Sequence, residues 1–521
     1  FYSMASLSNT ISLVSGLTIV SRFLGLLRDV LFFTCFGVSA IGDAFILAFT
    51  IPNLFRRMLG EGTLSSAFIP VYAEIKEKYS LRKAQDVLNQ VLSRLFVFLC
   101  FLSVAVCLIS WTVSQYNWIG PSKWVNGLLL NSIIFPYVLL ICISAILVGA
   151  LNTHKSFFAG AFSPIILNLA MISGLAIFYL GMSWRGLDLG IALCFAVLVG
   201  GCLQAIWPWF QLRRDFEWRW GFNFSSSAGL EKIKGLFLIG AFSAAVSQVN
   251  IMISRFLAYN LEDEGALSYL FLSARLIELP LGVFAISIST VFFPELSKAF
   301  SKEKKSEYKN CFARGLRLTM GMILPAAIGL ALLSDSILSV LFQWGEFGRE
   351  DVQLASGVLV VSCFALPFYA LAAYLIKAFH SQKNMTPPLH AAIISLFVNF
   401  ILSIILMQEY GMIGLAWANV ISAFLQTTFL AIKLNDFELK SLFTESIFSF
   451  FSIIISSAVM FGILWFVNQQ EYFSSSKESS IVALVILIPL GVLVYVISLI
   501  FCGFPELEKF RQNMATRFFK K

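Results

Sequence analysis

The chain has 521 residues, 58% of them hydrophobic and only 13% charged, with a formal net charge of +8. A soluble globular domain carries nearly twice that charged fraction, and no polar stretch exceeds about 30 residues, too short for a second core. Composition therefore excludes a soluble enzyme, and in a membrane protein a positive balance reflects loop orientation rather than nucleic-acid binding.

Apolar runs able to cross ~30 Å of hydrocarbon recur along the whole chain. They predict helices over 9–36, 41–60, 90–116, 128–151, 158–181, 187–211, 234–260, 266–293, 312–341, 353–379, 387–407, 412–433, 443–468 and 479–502. The first run continues past Ser21-Arg22 to Phe36. It is too long for a signal-peptide core and has no small-residue cleavage site, so no cleavable leader is expected. The chain begins at Phe1, and Met4 is a candidate start.

Charges inside these runs are concentrated. Helix 1 carries Arg22, Arg28 and Asp29; helix 2 has Asp43 near its start and Arg56-Arg57 at its end; helix 7 has Arg255; helix 8 has Arg275 and Glu278. Each charge costs about 2.5–3.5 kcal/mol on insertion scales. Arg22 and Asp29, seven apart, share a helix face, and Arg275 and Glu278 stand i, i+3, where a local pair forms. Two readings are open for Arg57 and Arg255, structural ion pair or snorkelling end on one side and ligand contact on the other. Arginines outnumber acids, and a guanidinium fork suits phosphate oxygens. Arg22, Arg28, Arg56 and Arg275 are thus candidates for an anionic ligand. Gly25, Pro52 and Pro280 interrupt these helices, which permits bending but also fits ordinary transmembrane usage.

The loop charges set the orientation. The even-numbered connections and the C-terminus carry 24 Lys and Arg, against four (Lys123, Arg185, Arg349 and Lys477) in the odd-numbered ones. Both termini are then cytoplasmic and the span number is even. Trp111, Trp118, Trp124 and Trp184 fall at span ends, as interfacial anchors do.

The halves echo each other. Pro136 in Phe135-Pro136-Tyr137 precedes Asn168 by 32 residues, and Pro367 in Pro367-Phe368-Tyr369 precedes Asn399 by 32. Ser21-Arg22-Phe23-Leu24 recurs as Ser254-Arg255-Phe256-Leu257, and Phe68-Ile69-Pro70 as Phe293-Pro294, each of the latter ahead of a charged stretch. Duplication predicts two six-helix lobes, 1–220 and 221–440, related by a pseudo-twofold axis along the membrane normal, with helices 13 and 14 and a tail over 441–521. Facing lobes would form a cleft suited to alternating access.

Nine cysteines lie mostly in apolar runs with no C-x-x-C pair, and His154, His380 and His390 are scattered. Neither pattern suggests a metal or a cofactor. No phosphate loop, G-x-S-x-G or H-E-x-x-H motif occurs, so neither ATP hydrolysis by that loop nor those enzyme chemistries are expected.

Ser21 to Asp29, Gly42-Asp43-Ala44-Phe45, Ile51 to Arg57, Glu61-Gly62 and Ala67 to Pro70 together resemble the N-terminal signature of the MurJ (MviN) family of lipid II flippases, in the MOP exporter superfamily. Gly149 to Thr153, Ala274 to Gly282 and Leu341 to Gly345 extend the resemblance along the chain. It implies an all-α integral membrane fold of fourteen helices, with two lobes and a hydrophobic groove at the last two. It also implies a transporter, not an enzyme, of the bacterial cytoplasmic membrane, moving the undecaprenyl-diphosphate-linked peptidoglycan precursor to the outer leaflet. Its substrate-binding residues would fall on Arg22, Arg28, Asp29, Asp43, Arg56, Ser268, Arg275 and Glu278. Expected partners are lipid II, membrane lipids and cell-wall or division machinery. Some members have acidic residues suited to sodium where this chain places Ser254 and Ser403, beside Asn399. Coupling to membrane potential or another ion gradient thus stays open. The alternatives are export of another polyprenyl-diphosphate glycan and an envelope-glycan enzyme, the latter disfavoured by short outer loops.

Overall fold

A computed structural model describes residues 2–60, 63–116, 122–434, 447–469 and 477–507. Glu61, Gly62, Trp118, Lys440, the predicted start of helix 13 before residue 447, and the basic tail from Lys509 lie outside the described residues. Every regular element among the described residues is helical. In order these are α1 Tyr2–Phe36, α2 Ala40–Phe55, α3 Thr63–Lys78, α4 Leu81–Tyr116, α5 Ser122–Ile134, α6 Tyr137–Thr153, α7 Phe158–Leu175, α8 Gly186–Phe216 and α9 Ala228–Asn260. They continue with α10 Ala266–Pro280, α11 Ser287–Ser301, α12 Lys305–Leu332, α13 Ser334–Phe342, α14 Arg349–Cys363, α15 Leu366–Ser381, α16 Thr386–Lys433, α17 Ile447–Asn468 and α18 Lys477–Phe501.

Eight helices are individually long and apolar enough to cross a membrane, and ten spans result when each of two bent pairs is taken as one. The bends fall where the sequence repeat lies. Helices α5 and α6 meet at 40° and α14 and α15 at 41°, next to Pro136 and Pro367. Proline supplies no amide hydrogen and crowds the preceding turn, so a helix bends there. Pro52 and Pro280 act similarly. Each lies just ahead of a π-helical turn, Arg56–Gly60 and Leu281–Ile286 respectively, the local rewinding expected where the backbone ladder is broken. Helix α16, at 48 residues, is about 72 Å long on a helical rise, more than two membrane cores. Gly411 breaks it at φ 53° and ψ −131°. The chain then doubles back, so that a Cβ on Gly414 would stand 2.2 Å from the Leu406 carbonyl oxygen. The two runs predicted over 387–407 and 412–433 are separated there.

The chain forms two compact units, residues 1–259 with 344–347, and 260–343 with 348–521. In the first, α1 packs along α7, α7 against α8, and α2 against α5. Its core joins Phe68, Tyr72, Leu88, Ile146 and Trp218. Gly174 approaches Ala196, where an added Cβ would lie at 2.7 Å; small residues let membrane helices come this close. The second unit is centred on Leu296, Tyr308, Phe312 and Tyr374. A further cluster, with Ile453, Met460 and Leu487, seats α17 and α18 against α12. Their other faces expose Phe448, Phe451 and Val485, as lipid contact requires.

Two predicted loops are helical. Residues 63–78 form α3, and α11 runs on to Ser301. Hydropathy windows miss such extensions because one face is charged. The other carries Phe68, Val71 and Tyr72, or Phe292, Leu296 and Ala299, at helical spacing, and is buried.

Candidate functional site

A largely buried polar cluster in the first unit forms where α1 meets α7. Arg28 Nε and Nη2 both donate to Asp29 Oδ1, at 3.0 and 2.6 Å. Its Nη1 donates to Asn168 Oδ1 at 3.0 Å. The Asn168 amide then donates to the Ser21 carbonyl at 3.1 Å, which leaves the amide oxygen aimed at the guanidinium. The Arg28 and Asp29 side chains are 13% and 4% exposed. Arg22 and Asp29 share a helix face by spacing, but their surroundings differ. Asp29 takes Arg28, its immediate neighbour, and Arg22 is exposed on α1. Successive helical residues point about 100° apart, but an arginine stem is long enough to curl back, and Asn168 fixes it there.

A second buried pair lies near the start of α2. Ser39 caps the helix by accepting from the Gly42 amide at 3.1 Å. Asp43, in the first turn, is fully buried, and Lys123 Nζ from α5 stands 3.5 Å from its Oδ2. The Lys123 ammonium also lies 4.9 Å from the centre of the Tyr259 ring, and the Tyr259 hydroxyl donates to the Lys123 carbonyl. One turn on from Lys123, Gly127 leaves room for that phenol, since a Cβ there would be 2.8 Å from its oxygen. Deeper in α2, Thr50 Oγ1 accepts from Arg255 Nη1. Arg56 lines a cavity of about 270 Å³ together with Ser65, Ser144, Asn152, Ser163 and Gln204. Gln204 is fixed there by donating to Ser163 O and Oγ and accepting from Tyr137. A guanidinium among hydroxyls and amides suits an oxyanion.

In the second unit Arg275 Nη1 meets Glu278 Oε2 at 3.3 Å, with side chains 36% and 51% exposed, the i, i+3 pair the spacing predicts. Ser268 is buried two helical turns earlier. Asn399 and Ser403 are also buried, and the serine donates to the amide oxygen at 3.4 Å. Among the described residues no group of three or more His, Cys, Asp or Glu could hold a metal ion.

At the end of α1, residues 344–347 complete the first unit. Glu346 N donates to the Thr34 carbonyl at 3.0 Å, and Phe347 packs edge-on against Phe33. Gly345, at φ 57°, has the conformation this approach needs, and a Cβ there would lie 2.3 Å from the Thr34 oxygen. This is the Leu341 to Gly345 motif singled out in the sequence.

The profile of the lipid II flippase MurJ family matches residues 32–501. The chain belongs to this family. Among MurJ relatives, the probable lipid II flippase of Vibrio cholerae serotype O1 is 31% identical over 507 residues, 94% of this chain and 95% of that one. The probable flippase of Treponema pallidum is 29% identical over 480 residues, 89% of each. A solved lipid II flippase MurJ in an inward closed conformation matches with a TM-score of 0.77 at 27% identity, covering 93% of this chain and 97% of that one. An inward-facing MATE multidrug transporter of the MOP superfamily matches with a TM-score of 0.62 at 12% identity, over 82% of this chain and 96% of that one, and so shares the fold alone. The chain is accordingly a multi-pass membrane protein of the MOP fold.

Lys123, Thr50 and Asn168 are the polar partners that the sequence reading did not place at the site. By sequence Lys123 falls in a connection between apolar runs, yet Asp43 and Lys123 each sit in the first turn of a helix and meet there. Asn168 was visible as a repeated amide within an apolar helix, a position where an amide needs a partner.

Proposed function

We propose that this chain moves lipid II from the inner to the outer leaflet of the bacterial cytoplasmic membrane by alternating access. The family match over residues 32–501 carries this reading. In it the chain crosses the membrane fourteen times as two six-helix repeats, 1–220 and 221–440, followed by two helices and a tail in 441–521. Both termini are cytoplasmic. The loop-charge bias and the paired bends beside Pro136 and Pro367 support this arrangement. It is a transporter and forms no covalent intermediate.

Arg22, Arg28, Arg56 and Arg275 contact the diphosphate, whose charges match several guanidinium groups. Asp29 and Glu278 position Arg28 and Arg275. Asp43 holds the α2–α5 junction through Lys123, and Ser268 supports α10. The buried Ser403–Asn399 contact is neutral, so the driving force is assigned to membrane potential or to an ion gradient bound elsewhere. Membrane lipids and cell-wall or division proteins are its surroundings.

Reconstituted protein given labelled lipid II should make it accessible to an external reagent only when a potential or gradient is imposed. No movement under any gradient, with movement of another polyprenyl-diphosphate glycan, would transfer the activity to that substrate.

A further inference from the structure

A charged pocket lies apart from these clusters, where the start of α4 meets the end of α8. It has a volume of about 760 Å³ and is lined by Arg82, Arg213, Arg219, Gln85, Phe216 and Glu217, with Leu81 at its edge. Three arginines face one carboxylate, and none of the three forms an ion pair among the described residues. The pocket therefore carries a net positive charge at its exposed rim, which attracts an anion.

The pocket is rigidly built. The connection after α8 is strapped along α4 by side-chain hydrogen bonds. Gln85 donates to the Phe216 carbonyl at 2.8 Å and Asn89 to the Arg219 carbonyl at 3.2 Å. Trp218 Nε1 donates back to Asn89 Oδ1 at 3.0 Å, and Arg94 Nη2 donates to the carbonyls of Phe224 and Ser225 at 2.6 and 3.0 Å. Glu217 sits at φ 53°, in the left-handed conformation that ends α8. These bonds fix the backbone that carries Arg219, while the three arginine side chains themselves are exposed and reach toward solvent.

The surroundings identify the ligand class. The Arg213 guanidinium lies over the Trp209 ring at 5.5 Å. Trp207 and Phe210, one to two turns back along α8, are exposed, as are Phe222 and Phe224 on the strap. Aromatic side chains bordering basic ones mark the level of lipid headgroups, and basic pockets between helices on the cytoplasmic side hold anionic headgroups. We infer that this pocket binds the phosphodiester headgroup of an anionic membrane phospholipid, with the arginines on the phosphate and the acyl chains against Trp207 and Phe210. The site is separate from the substrate reading and stands without it.

The test uses the full-length protein in detergent, exchanged with a mixture of phosphatidylglycerol and phosphatidylcholine, with bound lipids counted by native mass spectrometry. Wild type should retain phosphatidylglycerol in preference. The variant R82Q/R213Q/R219Q should lose at least one retained molecule and need roughly tenfold more lipid for half-occupancy, with phosphatidylcholine unchanged. A control with the same charge loss in the other unit, K298Q/K302Q/K309Q, should behave as wild type. Equal retention in the pocket variant would overturn the site, and equal loss in the control would reduce it to diffuse attraction. Displacement by millimolar inorganic phosphate as effective as by dioctanoyl phosphatidylglycerol would assign a soluble anion instead. If the triple variant does not fold, Arg219→Gln, which leaves the backbone strap intact, is read in the same way.

Discussion

Arg28 in the first unit and Arg275 in the second each meet a carboxylate on their own helix, yet they are held very differently. Arg28 makes three hydrogen bonds, its carboxylate is buried, and an amide from a neighbouring helix locks the fork. Arg275 meets a half-exposed Glu278 at 3.3 Å. A buried pair is expensive to break because the surviving charge keeps its desolvation cost, whereas an exposed pair is worth only about 0–1 kcal/mol. Stability and ligand binding are therefore entangled at the first site and separable at the second.

The largest effect should come from the most buried partner. Lys123→Ala leaves Asp43 charged and enclosed, and thermal unfolding in detergent should show a loss of about 3–5 kcal/mol. Asp43→Asn combined with it should restore much of that loss. A neutral Lys123→Ala would make Asp43 no more costly than an exposed acid.

Next, Arg28→Ala should lower stability by roughly 2–3 kcal/mol, while Arg28→Ala with Asp29→Asn should recover stability but not growth of a flippase-depleted strain. Recovery of growth would leave Arg28 a purely structural residue.

Arg275→Ala should change the unfolding free energy by less than about 1 kcal/mol and still abolish complementation at normal membrane levels of protein. If stability fell as far as in the Arg28 variant, the contrast between the two sites would disappear.

The smallest effect is one of pH. His154, just past α6, packs against Phe216 at a ring separation of 4.0 Å and lies 3.3 Å from the Tyr72 hydroxyl. Burial first, and the Lys76 charge second, bring its pKa down to about 4. The unfolded chain binds this proton more readily, so stability is full above the ordinary histidine range near pH 6.5 and falls as pH drops toward 4. Solvent screening of a half-buried ring leaves an effect of about 1 kcal/mol. His154→Gln should flatten the unfolding temperature between pH 7 and 5, and an unchanged slope would assign that sensitivity to other groups.

Hydropathy made the apolar helices legible because lipid imposes one rule on every span. Pro52 and Pro280 were legible for the same reason, whereas the bends beside Pro136 and Pro367 fall inside apolar runs, 128–151 and 353–379, that read as continuous. The polar helix α3 was hidden by its charged face. Pairing was harder still. Periodicity put Arg22 and Asp29 on one helix face, but it did not show that Arg28 curls back onto Asp29 and is held there by an amide 140 residues away. Lys123 and Asp43 meet only once two helix starts are brought to the same level. Distance along the chain hides such partners even where each charge is conspicuous.

That Arg28 is matched by the very next residue bears on biosynthesis. Cation and counter-ion leave the ribosome together and enter the insertion channel in the same helical turn. The first span can thus be released into lipid already largely neutralised at this point, without waiting for a partner helix. The contact of Asp43 with Lys123 is of the other kind, since Lys123 is made only after α3 and α4. That part of the second span's setting is completed only when α5 arrives.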